Sequence, residues 1–309
     1  MDYLYDSMII KKEKCDLHCH AARGAEMSYI GALIGKRITE KEKFNSVDEM
    51  NQWYREEIGN YFSGRQGYEF LINATIKQAI EDKVRYLELG FAIDRIRLYG
   101  FSVENFIEAI NNIIKKYSEI KIIPEISVPK TSEYKKNIFY AKEAIGLHFF
   151  KSIDIVGEEL EVDFEHFVDL YREAKRKGLR LRAHVGEFGS ADSVRRTCDL
   201  LELDEVQHGV HASESIEVMR YLRNNKIQLN ICPTSNIKMK VTNDYRTHPI
   251  RKLFDMGILV TINTDDRLIF NKSLSEEYIA LYENKCFSIS ELEDIRITTL
   301  ERCRKLWKF

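Results

Sequence analysis

From Lys14 onward the chain alternates short runs of apolar and β-branched residues with longer stretches in which apolar residues return every three and four positions. The first pattern has the period of a strand, the second that of an amphipathic helix. Eight runs read as strands: Lys14 to His20, Val84 to Phe91, Lys121 to Val128, Ile153 to Gly157, Arg180 to Val185, Glu205 to Val210, Gln228 to Cys232 and Leu259 to Thr264. Between them, Ser102 to Tyr117, Ser132 to Leu147, Asp163 to Lys177 and Ser213 to Arg223 carry the helical period. Sustained alternation of strand and helix predicts a parallel sheet. Eight such units predict an α/β fold closed as a (β/α)8 TIM barrel, rather than an open doubly wound sheet.

The alternation is interrupted once, between Ala21 and Gly67, by an insertion with helical patterning over roughly Thr39 to Tyr61. A segment inserted after the first strand of a barrel lies at the C-terminal face, where it serves either as a lid or as added packing, and the pattern leaves both open. No linker rich in proline, glycine or serine divides the chain, so residues 1–309 are expected to form one domain, with 21–67 as its helical insertion.

Composition narrows the functional classes. With 44% hydrophobic and 31% charged residues the chain has the make-up of a globular protein, and a formal charge of -2 offers no basic surface for a nucleic-acid polymer. A small molecule is the expected partner. The opening Met1 to Asp6 is acidic where a secretory leader is basic, and no apolar run reaches the roughly 20 residues of a membrane span. A cytoplasmic protein without a membrane partner is therefore expected, with its six cysteines reduced and mostly structural. Nothing in these residues specifies an oligomeric state.

Chemistry-bearing side chains gather at the predicted strand ends. His18 and His20 end the first strand within Asp16-Leu17-His18-Cys19-His20, and their spacing points both imidazoles to one face. His184 and Glu187 end the fifth, His208 the sixth, and Asp265 and Asp266 the eighth. In a closed parallel barrel these ends converge on one mouth, which is where catalytic groups collect. An H-x-H pair alone is more often structural. Joined by further histidines and a carboxylate, it describes a zinc site that leaves a position for water. Asp265 and Asp266 have an ordinary alternative as a helix N-cap, and Glu187 as a solvated loop acid. Cys19 should face away from the metal by strand alternation. The H-x-E and P-C-x-x-C zinc deaminase pattern, a Walker loop and a G-x-S-x-G elbow are all absent.

The ordered segments D-L-H-C-H (16–20), V-G-E-E (156–159), H-V-G-E (184–187), H-G-V-H (208–211), C-P-T-S-N (232–236) and N-T-D-D (263–266) resemble the adenosine deaminase family of the amidohydrolase superfamily. The resemblance implies a barrel enzyme that hydrolytically removes the 6-amino group of a purine as ammonia, with zinc (Zn2+) as cofactor. It implies His18, His20, His184 and Asp265 as zinc ligands and Glu187 as proton donor to ring nitrogen 1. His208 would orient the water, Asp266 would hold ring nitrogen 7, and the backbone N–H of Gly157 would meet ring nitrogen 3. His211, Cys232, Ser235 and Asn236 would support the strand ends.

This chain departs from that pattern after the H-x-H. Members acting on nucleosides usually continue with Leu-Asp-Gly, whose aspartate contacts the ribose 5'-hydroxyl, whereas here Ala21, Ala22 and Arg23 follow. An arginine beside a missing carboxylate suits a 5'-phosphate, so Arg23 is a candidate substrate-binding residue. Arg95, Arg97, Lys238, Lys240 and Arg267 lie in neighbouring loops and are either further phosphate contacts or solvated surface charges. The expected activity is zinc-dependent deamination of an adenine nucleoside or its 5'-monophosphate. Deamination of another aminopurine, or a catalytically silent purine-binding protein of the same fold, are the alternatives.

Overall fold

A computed structural model describes residues 10–160 and 163–307. Eight parallel strands follow one another around a barrel in chain order: β1 Lys14–His20, β2 Val84–Ala92, β3 Lys121–Pro129, β4 Ser152–Val156, β5 Arg180–Val185, β6 Glu205–His208, β7 Gln228–Ile231 and β8 Val260–Ile262. The ring closes where Cys19 bridges Asp265 in parallel and the Asp265 amide donates to the His18 carbonyl at 2.9 Å. This is the (β/α)8 barrel that the alternating pattern predicts.

Helices are α1 Met27–Leu33, α2 Val47–Glu57, α3 Gly64–Glu81, α4 Val103–Ile114, α5 Tyr134–Gly146, α6 Val168–Arg176 and α7 Ala191–Leu201. They continue as α8 Ile216–Asn225, α9 Pro233–Lys238, α10 Ile250–Asp255, α11 Arg267–Phe270, α12 Leu274–Glu283 and α13 Ile289–Leu306. Serines mark many of the starts: the side chains of Ser46, Ser102, Ser190, Ser215, Ser273 and Ser288 each accept an amide hydrogen three residues on. No helix of the described residues is long and apolar enough to cross a membrane.

Where the elements differ from the sequence reading, local geometry accounts for it. The last strand is three residues long instead of six: past Ile262, Asn263 bridges two strands, its amide donating to the Ile231 carbonyl of β7 at 2.9 Å and its side chain accepting from the Leu17 amide of β1 at 2.8 Å, and Thr264 Oγ1 donates to Asp16 at 2.6 Å. In the insertion, α1 precedes the stretch with helical patterning, and within that stretch regular helix begins at Val47, where Ser46 supplies a cap.

Strand alternation sorts the residues between two interiors. On β5, Leu181, Ala183 and Val185 face the helices and join the main apolar core, while Arg182 and His184 point into the barrel. The lower barrel is charged. Arg182, 1% exposed, bonds Glu88 of β2, Glu125 of β3 at 3.0 Å and Glu205 of β6 at 2.6 Å. Burial, set against one guanidinium shared three ways, raises the Glu88 carboxyl to about 7 and Glu125 well above the ordinary carboxylate range. Glu205 goes the other way: burial pulls it upward, but Arg182 and Arg180 prevail and hold it at about 2.

A folded-state pKa raised above the unfolded value means that the folded chain keeps a proton the unfolded chain has released. For Glu88 the stability contribution is complete below pH 4.5 and declines as pH rises to about 7. Glu125→Gln keeps an acceptor for Arg182 and removes the need for that proton. Its melting midpoint should exceed that of the unsubstituted protein at pH 8, by roughly 2 °C per kcal/mol relieved, and the gap should shrink toward pH 5. A lower midpoint at pH 8 would show that Glu125 is needed there as a carboxylate.

Candidate metal and purine site

The C-terminal strand ends bring the sequence-predicted residues together around one cavity of about 280 Å³. His20, His184, Glu187, His208, Asp265 and Asp266 line it, with Gly157 on the β4 side and Arg23 on the β1 side. His18 stands behind, its ring 4.7 Å from that of His184 and 4.6 Å from that of His208. Cys19 faces the other way, against Gly24 and Thr75 of α3, as alternation requires. All six cysteines are buried and free.

Two of these side chains reach the cluster because of their backbone. His208 has φ 62° and Asp265 φ 58°, the left-handed region that residues with a side chain seldom occupy. Alternation alone would send His208, next after the inward Gln207, toward the helices. The left-handed turn brings its Nε2 to 3.8 Å from Asp265 and 3.6 Å from Glu187. Conformational strain of this sort is retained where surrounding structure enforces it.

The donor set fits a metal ion. Ligand atoms of His18, His20 and Asp265 lie within 4.8 Å of one another, as do those of His18, His184 and His208. His18 Nε2 is buried without a hydrogen-bond partner among the described residues. Several imidazoles turning nitrogens toward one point are costly to bury unless a cation takes their lone pairs. Imidazole nitrogen with one carboxylate is the donor chemistry of zinc. The field agrees. Burial would lower the His20 pKa, yet Asp266 and Asp265 outweigh it and raise it to about 9. Burial would raise Asp265, and His18 and His20 hold it well below the carboxylate range. This corner of the cavity attracts positive charge.

A second set of contacts fixes the ring orientations. Asp154 Oδ2 is 2.9 Å from His184 Nδ1, the carbonyl of Asn230 is 3.4 Å from His18 Nδ1, and Ser235 Oγ donates to Asp265 Oδ2 at 2.7 Å. Asn236 Nδ2 lies 3.1 Å from His208 Nδ1. The sequence reading missed Asp154, although a carboxylate in the apolar run Ile153-Asp154-Ile155 was a signal for it. Cys232 stands nearer the chemistry than a supporting role suggests, with its sulfur within 4.8 Å of ligand atoms on His208 and Asp265.

Glu187 is buried, and burial with the nearby charges of Asp265, Glu159, Glu158 and Asp266 raises its pKa well above the usual value, which favours the protonated carboxyl. Burial lowers His208 to about 3, which leaves the imidazole neutral. Asp266 occupies the N-cap position of α11 without capping it. Its Oδ2 accepts from Arg23 Nη1 at 2.9 Å, and its buried Oδ1 has no partner among the described residues.

Arg23 lines the cavity, but its guanidinium is engaged. Nη2 donates to Asn51 of α2 at 2.7 Å, and the group lies 4.6 Å from the ring centre of Tyr54 on the same helix. The insertion thus borders the site, adding Val47, Met50 and Asn51 to its wall. Of the other loop cations, Lys238 pairs with Glu40, Arg267 with Glu26 at 3.1 Å, Lys240 Nζ donates to Asn45 at 2.6 Å and Arg97 is 4.0 Å from Asp94. Arg95 is the one of these five that faces the cavity.

The sequence pattern of the adenosine deaminase family matches residues 36–303. A Treponema pallidum (strain Nichols) protein provisionally named adenosine/adenine deaminase is 30% identical over 281 residues, 90% of this chain and 93% of its own. Among solved structures, the N6-methyl-AMP deaminase of Arabidopsis thaliana superimposes with a TM-score of 0.79 at 20% identity, covering 95% of this chain and 92% of its own. An amidohydrolase from Burkholderia ambifaria with bound Zn gives 0.76 at 19% identity, covering 97% and 88%. At these identities the two structures show a shared fold.

If the cluster holds zinc, free zinc at 100 times its Kd stabilises the folded state by about 2.7 kcal/mol, and chelation should lower the melting midpoint by roughly 5 °C or more. Asp265→Ala should lose both the bound zinc, measured by elemental analysis, and the chelator sensitivity. A midpoint indifferent to chelator, in protein purified without zinc, would sink the assignment.

Proposed function

The chain belongs to the adenosine deaminase family, and from that premise we propose that it is a zinc-dependent hydrolase converting an adenine nucleoside 5'-monophosphate to the 6-oxopurine nucleotide and ammonia. The observation that carries this reading is the meeting, in one cavity, of a metal-type cluster with a carboxyl pushed toward its protonated form. His18, His20, His184 and Asp265 would hold the zinc, which when bound would supply a Lewis acid able to make water acidic at neutral pH.

The protein groups handle the purine and the protons. Glu187 donates its proton to ring nitrogen 1, which draws electron density from carbon 6 and opens it to water. As a carboxylate it then takes a proton from the attacking water and passes it to the amino group, which leaves as ammonia, and the second proton of that water returns to Glu187 as the carbon 6 hydroxyl becomes the 6-oxo group. His208, neutral and facing both Glu187 and Asp265, orients the water and stabilises the charge that develops on its oxygen. Asp266 meets the nitrogen 7 side through Oδ1, and the Gly157 N–H meets nitrogen 3. At φ 108° position 157 favours glycine, which also leaves the peptide open to a ligand.

Arg95 supports a phosphate on the substrate, because it faces the cavity and its nearest carboxylate, Asp94, is 3.8 Å away. Arg23 is a second cation at the same end. A different observation favours free adenine: the Arg23 guanidinium already serves Asp266 and Asn51, filling part of the space in which family resemblance puts the sugar's 5' end.

A panel of adenine, adenosine, deoxyadenosine, AMP, dAMP and the di- and triphosphates separates these readings. Monophosphates should lead adenosine in kcat/KM by at least about tenfold, and Arg95→Ala and Arg23→Ala should each reduce that lead. Glu187→Ala should lower kcat by roughly 10²–10⁴ with zinc retained. Fastest turnover of free adenine would replace the nucleotide reading. No turnover of any aminopurine by the zinc-loaded protein would remove the enzymatic one.

A further inference from the structure

The loop that carries Glu187 is built around a carboxylate from the loop that follows β4. Four consecutive amides, those of Gly186, Glu187, Phe188 and Gly189, donate to Glu159 at 2.7, 3.1, 2.8 and 2.9 Å. Gly186, at φ 71°, makes the left-handed turn that lets successive N–H groups point to one side. Such a concavity is an anion-binding nest, and here its anion is a side chain of the same protein. Glu159 is buried, and the Lys130 ammonium donates to its main-chain carbonyl. Across the loop, the Gly186 carbonyl accepts the His211 amide at 3.0 Å and lies 3.2 Å from His211 Nδ1. The loop is therefore gripped on its N–H face by Glu159 and on its C=O face by His211.

We propose that Glu159 is a positioning residue for Glu187: by filling the nest of four amides it sets the backbone from which Glu187 addresses the purine ring. The proposal rests on the deaminase reading above. Glu159 faces the loop from outside the cavity and does not line it, so its effect on the reaction passes through Glu187. Neutralising Glu159 removes the charge the nest is shaped for and presents amide hydrogens to backbone N–H groups. Glu187 would then sample several orientations, and a displacement of about 1 Å from a productive geometry costs on the order of 10²-fold in rate.

The test is a double-mutant cycle on the full-length, zinc-loaded chain, using the fastest substrate of the panel. Glu159→Gln should lower kcat about 10²-fold with zinc content unchanged. In a Glu187→Gln background the same substitution should change kcat by less than about threefold, because the group it acts through is gone. Hydrogen exchange gives a readout independent of turnover: the amides of Gly186, Glu187, Phe188 and Gly189 should exchange at least about tenfold faster in Glu159→Gln, with those of β5 unaffected. Gly189→Ala is the companion variant should Glu159→Gln fold poorly, since a methyl group there collides with the Glu159 carboxylate without removing it. It should reproduce the loss of kcat and the faster exchange. Equal loss of kcat in both backgrounds, or unchanged exchange of the four amides, would overturn the proposal. Faster exchange of the four amides in Glu159→Gln, together with no aminopurine turnover by the unsubstituted protein, would instead locate the failure in the deaminase reading.

Discussion

One guanidinium holds the lower barrel together. Arg182 reaches carboxylates on β2, β3 and β6 from its place on β5, so four of the eight strands share a single buried cation. Removing it would strand three glutamates away from water, and breaking a buried ion pair from one side costs about 3–5 kcal/mol. His184 sits two residues further along β5 on the same inward face, and Asp154, which orients it, lies two residues beyond Ser152, whose hydroxyl donates to Glu88 at 2.8 Å. The site is the upper tier of a polar column whose lower tier fixes its register.

Electrostatic character changes along that column. At the bottom, carboxylates outnumber the arginines Arg182 and Arg180 that meet them, and the balance is restored by protons. At the mouth, imidazoles and two aspartates crowd together, and the balance favours a cation. Beside them at the mouth, burial first and the surrounding carboxylates second push Glu187 toward its protonated form. The same physics, burial acting on unbalanced charge, thus serves structure below and chemistry above.

Much of this was legible in the sequence because alternation has only two outcomes. Strand periodicity located all eight strands, and the histidines and acids at their ends fell on one mouth. The remainder lay in contacts that no local pattern records. His208 is turned inward by a left-handed backbone at a residue with a side chain, and Gly209, itself at φ 67°, marks the turn only one residue later. Arg23 was readable as a phosphate ligand from its neighbours in sequence, yet its partner Asp266 lies 243 residues away. Glu159 belonged to a quoted motif but carried no role there, since what it binds is backbone N–H, which every residue but proline has.

The seam between the first and last strands has a further meaning. Asp16 and Thr264, 248 positions apart, are bonded across it, and the metal-type donors His18, two residues beyond Asp16, and Asp265, next after Thr264, follow at once. Docking of the final strand and assembly of the cluster are therefore one event, and it comes at the far end of a long loop closure. A ribosome must release most of the chain before the donor set that includes Asp265 exists. An ion captured at the seam acts as a clasp between the two ends of the barrel, and the protein cannot bind it fully until folding is complete.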